Sequence, residues 1–348
     1  MKGANGRNRE KKMAEIVNSS SQNRAELWRV LPLETPFAVH VFPSYYCDFR
    51  CCYCIQSLTA EEFASLNLKK QMMGINTFKH AVDGITNFKS RLKLLNFAGH
   101  GEPLLNPNLP EMIAYAKDKK ITDKIELVTN AHTLTETKSR ELVNAGLDSI
   151  RISIQGMSAE KYRQVSSVDV DFNRLIEQIG YFYNHKGKCS VYIKIIDHAL
   201  EGIEEEKRFH ETFGGICDRI AVEHMVPTAA GVDYNELDTN YGQTQQGYAA
   251  QSVKTCPWPF YMMAVEPNGD VRTCCSTTFP LVLGNANEDS LSEMWKGDSL
   301  KAFWLMQLQD SRFLHPVCRS CKNPDYGLQP GDNIDNYKQE VLERIIKI

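Results

Sequence analysis

The chain has 348 residues, 42% of them apolar and 24% charged, with a formal net charge of −3. That size allows a large core and more than one domain, and the near-neutral balance gives no electrostatic reason to expect a nucleic-acid partner. No apolar run approaches the roughly 18 residues of a membrane span, and residues 1–12 (MKGANGRNREKK) are polar and basic, a flexible tail rather than an export signal.

From Phe37 to about Met225, short apolar runs alternate with helix-period segments. The strand candidates in chain order are FAVHVF (37–42), LKLLNFA (92–98), KIELVT (124–129), SIRISI (149–154), SVYIKII (190–196) and RIAVEHM (219–225). A helix is expected from Thr135 to Ala145, with the threonine as N-cap and Gly146 just past its end. Another places Phe172, Leu175, Ile176, Ile179, Phe182 and Tyr183 on one face. Strand and helix alternating in this way predict βα repeats on a parallel sheet, with fewer units than a closed barrel needs. Residues 227–255 are polar and aperiodic, a linker or an active-site loop. After them Asn268-Gly269 sits between two strand-like runs and predicts a hairpin. One helix is expected at about 290–308, carrying Leu291, Met294, Trp295, Phe303 and Trp304, and an amphipathic stretch at 334–347 ends the pattern.

Eleven cysteines without an export signal point to a reducing, cytoplasmic setting, in which clustered thiols bind metal more often than they form disulfides. Nine of them fall in two groups: Cys47, Cys51, Cys52 and Cys54, then Cys256, Cys274, Cys275, Cys318 and Cys321. Cys189 and Cys217 stand apart and read as small buried hydrophobes. In the first group, Cys47, Cys51 and Cys54 form C-x3-C-x2-C shortly after the first strand, at the edge where parallel α/β folds place their ligands. Three thiolates can hold three irons of a 4Fe-4S cluster and leave the fourth open. A zinc site would need a fourth ligand, for which Cys52 is the nominee, although adjacent Cys51 and Cys52 project differently.

This spacing, with Tyr53 before the last cysteine, resembles the signature of the radical S-adenosylmethionine superfamily. GHGEP (99–103), closing the second strand, resembles the family's GGEP segment and nominates Gly101 and Glu102. VTNAHTL (128–134), closing the third, resembles the TNG segment and nominates Asn130. RISIQG (151–156) closes the fourth and supplies Ser153, which resembles the family serine near the ribose and carboxylate. Arg163 resembles the arginine that pairs with the methionine carboxylate. The chain departs from the pattern at His100 and Ala131, each standing where the family motif has a glycine. The resemblance implies that S-adenosylmethionine is held on the open iron and cleaved reductively, giving methionine and a 5′-deoxyadenosyl radical that abstracts a substrate hydrogen. It also implies a low-potential electron donor such as flavodoxin or ferredoxin.

By residue chemistry alone, Cys256, Cys274, Cys318 and Cys321 could hold one zinc or one iron–sulfur cluster. Cys256, Gly269, Cys274 and the later C-x2-C resemble the SPASM and twitch domains that follow radical S-adenosylmethionine barrels, which implies an auxiliary 4Fe-4S cluster. No cysteine follows Cys321, and this supports one auxiliary cluster. Cys275 neighbours Cys274 on an expected strand, so the two side chains point to opposite faces. The expected fold is therefore α/β: an N-terminal extension (1–36), a partial (β/α)6 TIM-like barrel (37–235) and a small β-hairpin and helix domain for the auxiliary cluster (236–348).

A fully thiol-ligated auxiliary cluster suits electron transfer, and so a net two-electron oxidation with a base to take the proton. Strand alternation places Lys194 with Tyr192, and Glu223 with Arg219, which makes Glu223 and Lys194 the candidate bases; His224 and His100 are less distinct. The expected substrate is small and polar: a sugar, cyclitol or aminoglycoside-type secondary alcohol. The 46 residues before Cys47 are too few for a leader-binding domain of the kind that peptide modifiers carry. Modification of a peptide or protein side chain is the alternative. Epimerisation would need a thiol donor such as Cys189, Cys217 or Cys275, and an iron–sulfur electron carrier is the rival outside enzymes.

Overall fold

The computed structural model of the chain describes residues 13–17 and 25–347. The basic stretch 1–12, read above as a flexible tail, lies outside the described residues.

The six expected strands all form, each within the apolar run that announced it. With four more they make one sheet: β1 (Glu15–Ile16), β2 (Ala38–Val41), β3 (Leu94–Phe97), β4 (Ile125–Thr129), β5 (Ser149–Ile154), β6 (Ser190–Ile196), β7 (Arg219–Glu223), β8 (Met262–Val265), β9 (Asp270–Arg272) and β10 (Val282–Asn285). The order across the sheet is β1-β7-β6-β5-β4-β3-β2-β8-β9-β10. β2 to β7 pair in parallel with their sequence neighbours. Helices between them cover one face, which is why Ile150, Ile152 and Ile154 are buried on β5. The helix Phe172–His185 buries Leu175, Ile179 and Phe182, and the helix Glu136–Asn144 starts at Thr135, whose hydroxyl accepts from Lys138 N.

Two features were not legible in the pattern. The N-terminal extension contributes β1, which pairs in parallel with β7. At the other edge β8 pairs in parallel with β2, His40 opposite Ala264, before the hairpin β8–β9 turns at Gly269 with φ +92°. Parallel addition needs a long crossover, and residues 224–257, which carry no helix or strand, supply it. That segment also lies over the carboxyl ends of the strands: Tyr234 Oη donates to Tyr53 O at 2.9 Å, and Gln245 Nε2 donates to Glu223 Oε2 at 2.8 Å.

The helix expected at 290–308 is two helices, Leu291–Lys296 and Asp298–Leu308. Gly297 between them is extended, φ −72° and ψ 153°, as a residue with poor helix propensity allows. The break lets Trp295 and Trp304 meet at 5.4 Å while donating to Leu33 O and Pro259 O, each at 2.8 Å. Trp28 stacks on Tyr337 at 4.1 Å, and Arg344 donates to Trp28 O and Leu31 O at 2.9 and 3.0 Å, so the last helix (Lys338–Ile346) is tied to the N-terminal segment. Trp295 is fully buried. Trp295→Ala is expected to cost about 3–5 kcal/mol, read as a lowered midpoint in urea unfolding.

Candidate active site

The first thiol loop leaves the carboxyl end of β2 and lies against the end of the helix Ala159–Ser166. Arg50 N donates to Ser166 O and Cys52 N to Val165 O, both at 2.8 Å, and Cys51 Sγ is 3.5 Å from Ser166 Oγ. Burial pushes the Cys51 thiol up to about 12 and raises Cys47 and Cys54 as well. A thiolate in so dry a loop needs a cation beside it, and iron at these sulfurs would supply one. Lys70, near enough to Cys47 and Cys54 to feel their charge, adds another. Among the described residues, no three His, Cys, Asp or Glu side chains converge tightly enough for a single metal ion. Three thiols on one loop could each hold one iron of a cluster.

The two segments that resemble the family's GGEP and TNG motifs pack against this loop. A Cβ on Gly101 would run into the carbonyl oxygens of Ser44 and Tyr46, so only glycine fits. Glu102 is 2% exposed, and its carboxylate accepts from Leu104 N (2.9 Å), Thr129 Oγ1 (2.6 Å) and Asn130 N (2.8 Å). Burial raises its pKa to about 7 against the pull of those bonds. Glu102 is thus a brace between turns, with both oxygens engaged. Asn130 Nδ2 donates to Asp48 Oδ1 and His132 Nδ1 lies by Asp48 Oδ2, both at 2.8 Å, closing the link to the thiol loop. Ala131, at the motif's glycine position, has φ +59°, the left-handed conformation that glycine adopts without penalty.

Tyr53 Oη donates to Gln155 Oε1 at 2.5 Å, placing the ring at the end of β5. Ser153 is on β5 opposite Lys194 of β6. Arg163 is not brought to the site: it sits on the outer side of its helix, its side chain 57% exposed, in ion pairs with Glu160 (2.7 Å) and Asp169 (2.8 Å). The helix carries Tyr162, Val165 and Ser166 on its buried side, which turns position 163 outward.

Glu223 and Lys194 do meet. Lys194 Nζ is 2.6 Å from Glu223 Oε2, Tyr192 Oη donates to Oε1 at 3.1 Å, and Gln245 adds a third bond. Burial alone would raise the Glu223 carboxyl, but the charges of Lys194 and Arg151 hold it below its ordinary value, so it is ionised. Beside it Arg151 Nη2 donates to Glu126 Oε1 at 3.0 Å on the same inner face. Sequence reasoning missed Asp48, Gln155 and Gln245. Asp48 lies inside the CDFRCCYC stretch, while the other two offered no signal, being polar residues of loops.

The second thiol group converges. Cys256, Cys274, Cys318 and Cys321 line one largely apolar cavity with Trp258 and Phe303, and Cys275 is not among its lining residues. Burial raises Cys256 and Cys274, and lifts Cys318 to about 11. Arg312, buried, donates to Val253 O and, at 2.7 Å, to Cys321 O. Four thiols lining one space, Cys274 and Cys318 of them buried, with a guanidinium at its wall, fit a fully thiol-ligated cluster.

The chain thus sets a three-thiol loop at the carboxyl edge of a mostly parallel α/β sheet and lines a cavity with four further thiols. The model of the radical SAM superfamily matches residues 41–209, and that of the SPASM iron-sulfur cluster-binding domain matches residues 256–322. The chain is a radical SAM protein with a C-terminal SPASM domain, and the two domains imply an S-adenosylmethionine-binding 4Fe-4S cluster and an auxiliary iron–sulfur cluster. It is 24% identical to a PqqA peptide cyclase of Rhizobium meliloti (strain 1021) over 90% of this chain and 87% of that protein. It is 30% identical to the dTDP-4-amino-4,6-dideoxy-D-glucose ammonia-lyase of Streptomyces venezuelae, but over 42% of this chain and only 29% of that protein. Among solved structures it resembles Streptococcus suis SuiB bound to precursor peptide SuiA, with TM-score 0.57 and 17% identity over 79% of this chain and 67% of that one. It also resembles BtrN in complex with AdoMet and 2-DOIA, with TM-score 0.53 and 19% identity over 82% and 93%. At these identities the structural likeness is one of fold. Among the described residues, no helix is long and apolar enough to cross a membrane.

Because Gly101 has no room for a Cβ, Gly101→Ala is expected to displace the Ser44–Tyr46 turn and the thiol loop behind it. Iron analysis after anaerobic reconstitution should show a loss of about four irons per chain, with the second site still loaded.

Proposed function

We propose that this chain cleaves S-adenosylmethionine reductively at the Cys47, Cys51 and Cys54 loop and oxidises a side chain of a peptide or protein substrate. The observation that carries the substrate class is the extent of likeness: the peptide cyclase matches over 87% of its length, while the ammonia-lyase and a probable GTP 3′,8-cyclase of Methanococcus maripaludis match over 29% and 37% of theirs. The small polar substrate expected from the short stretch before Cys47 gives way to this reading.

The bound groups supply electron donation into the sulfonium at the first site and electron acceptance at the second. The chain's own residues do the rest. Gly101 lets the backbone of GHGEP approach closely, Asn130 and Glu102 brace the turns, and Tyr53 and Ser153 border the space above β5. Glu223 is the proton acceptor, kept ionised by Lys194 and oriented by Tyr192 and Gln245. Cys256, Cys274, Cys318 and Cys321 hold the auxiliary cluster, and a flavodoxin or ferredoxin is the electron source.

Reduced, anaerobically reconstituted protein is expected to release 5′-deoxyadenosine from S-adenosylmethionine. Changing Cys47, Cys51 and Cys54 together to Ala should abolish that release while about four irons remain on the second site. Glu223→Gln should leave the cleavage in place and lower product formation by about a hundredfold or more. A short peptide encoded beside the gene is expected to raise 5′-deoxyadenosine release and to change in mass; stimulation by an aminocyclitol and not by the peptide would return the small-molecule reading.

A further inference from the structure

His100 stands where the GGEP-type segment has its first glycine, and no step above uses its side chain. The ring is buried, 8% exposed, between Phe42 and Tyr45 on one side and Phe279 on the other, at centroid separations of 5.0, 5.7 and 5.8 Å. Phe42 and Tyr45 precede the first thiol loop, whereas Phe279 belongs to the segment just after Cys274. The ring therefore fills a seam between the two halves of the molecule.

Its polar contact crosses the same seam. His100 Nε2 lies 3.2 Å from Ser276 O. A carbonyl only accepts, so Nε2 carries the proton in this contact. Burial lowers the ring's pKa to about 4, which leaves it neutral at ordinary pH. Ser276 in turn touches two thiols of the second site: its backbone N–H bonds to Cys274, and its hydroxyl is 3.7 Å from Cys321 Sγ, with Asn323 Nδ2 donating to that hydroxyl at 3.0 Å. On the other side His100 O accepts from Gln56 Nε2, and Gln56 is two residues beyond Cys54. A continuous run of bonds thus joins the Cys54 turn to Cys274 and Cys321 through His100.

We propose that His100 is a positioning residue that holds the second thiol site against the first, by carrying the Ser276 carbonyl across the seam. Glycine at this position would leave that carbonyl without its donor and open a void among three aromatic rings. Cys274 and Cys321 would then lose the turn that orients them, much as a metal site loses affinity when a supporting partner is removed. The proposal rests on the reading that these thiols hold the auxiliary cluster.

The test uses the full-length chain with Cys47, Cys51 and Cys54 changed to Ala, so that iron reports the second site alone. His100→Gly and His100→Gln are compared with this parent for iron loss to a chelator and for the electron paramagnetic resonance spectrum of the reduced cluster. His100→Gly is expected to lose iron about tenfold faster with a changed spectrum. His100→Gln, whose amide N–H can reach the same carbonyl, should restore both the rate and the spectrum. A glycine variant matching the parent in both would overturn the proposal, and so would a glutamine variant as impaired as the glycine one. If the parent itself binds no iron, the cluster assignment fails, a result visible before His100 is touched.

Discussion

A buried carboxylate holds the site together. Glu102 lies at the carboxyl edge of the sheet and accepts bonds from its own turn and from Thr129 and Asn130 at the end of β4, while Asp48 in the thiol loop is bonded to the turn after β4. Each turn alone would be a mobile surface loop. Bonded to one another, they become a rigid rim, and the thiols of the first loop inherit that rigidity. The cost is burial of Glu102, where desolvation outweighs its hydrogen bonds and raises its pKa to about 7.

The two thiol sites share one electrostatic logic. In both, burial makes the free thiolate unfavourable, and positive charge is set nearby: Lys70 at the first, Arg312 at the second. Dry, cation-flanked sulfur is poorly suited to exposed thiol chemistry and well suited to an iron cage whose potential the protein must control. The second site differs in having four thiols lining one cavity.

Along β4 to β7, the inner face of the sheet is charged where an ordinary barrel would be filled with aliphatic side chains. Glu126 with Arg151, and Glu223 with Lys194, satisfy one another there. Such pairs contribute little net stability once desolvation is counted. The irregular segment 224–257 completes this interior by bringing Gln245 onto Glu223, and it also carries the chain across to β8.

What the amino-acid order determined by itself was local. Apolar runs of strand length announced β2 to β7, because side-chain period depends only on near neighbours. The C-x3-C-x2-C spacing was equally plain, because its residues share one turn. Alternation along β6 and β7 also placed Lys194 and Glu223 on usable faces. Only the tertiary structure decided the rest. Parallel pairing of β8 with β2 joins residues more than two hundred apart, and Cys256 and Cys321, far apart in the chain, line one cavity. Arg163 matched a pattern by its distance from Ser153, yet helical phase turned it to solvent. Spacing counts residues along the chain, whereas a contact depends on where each turn points, and turns are oriented by partners such as Glu102, Asp48 and His100 that lie far away in sequence.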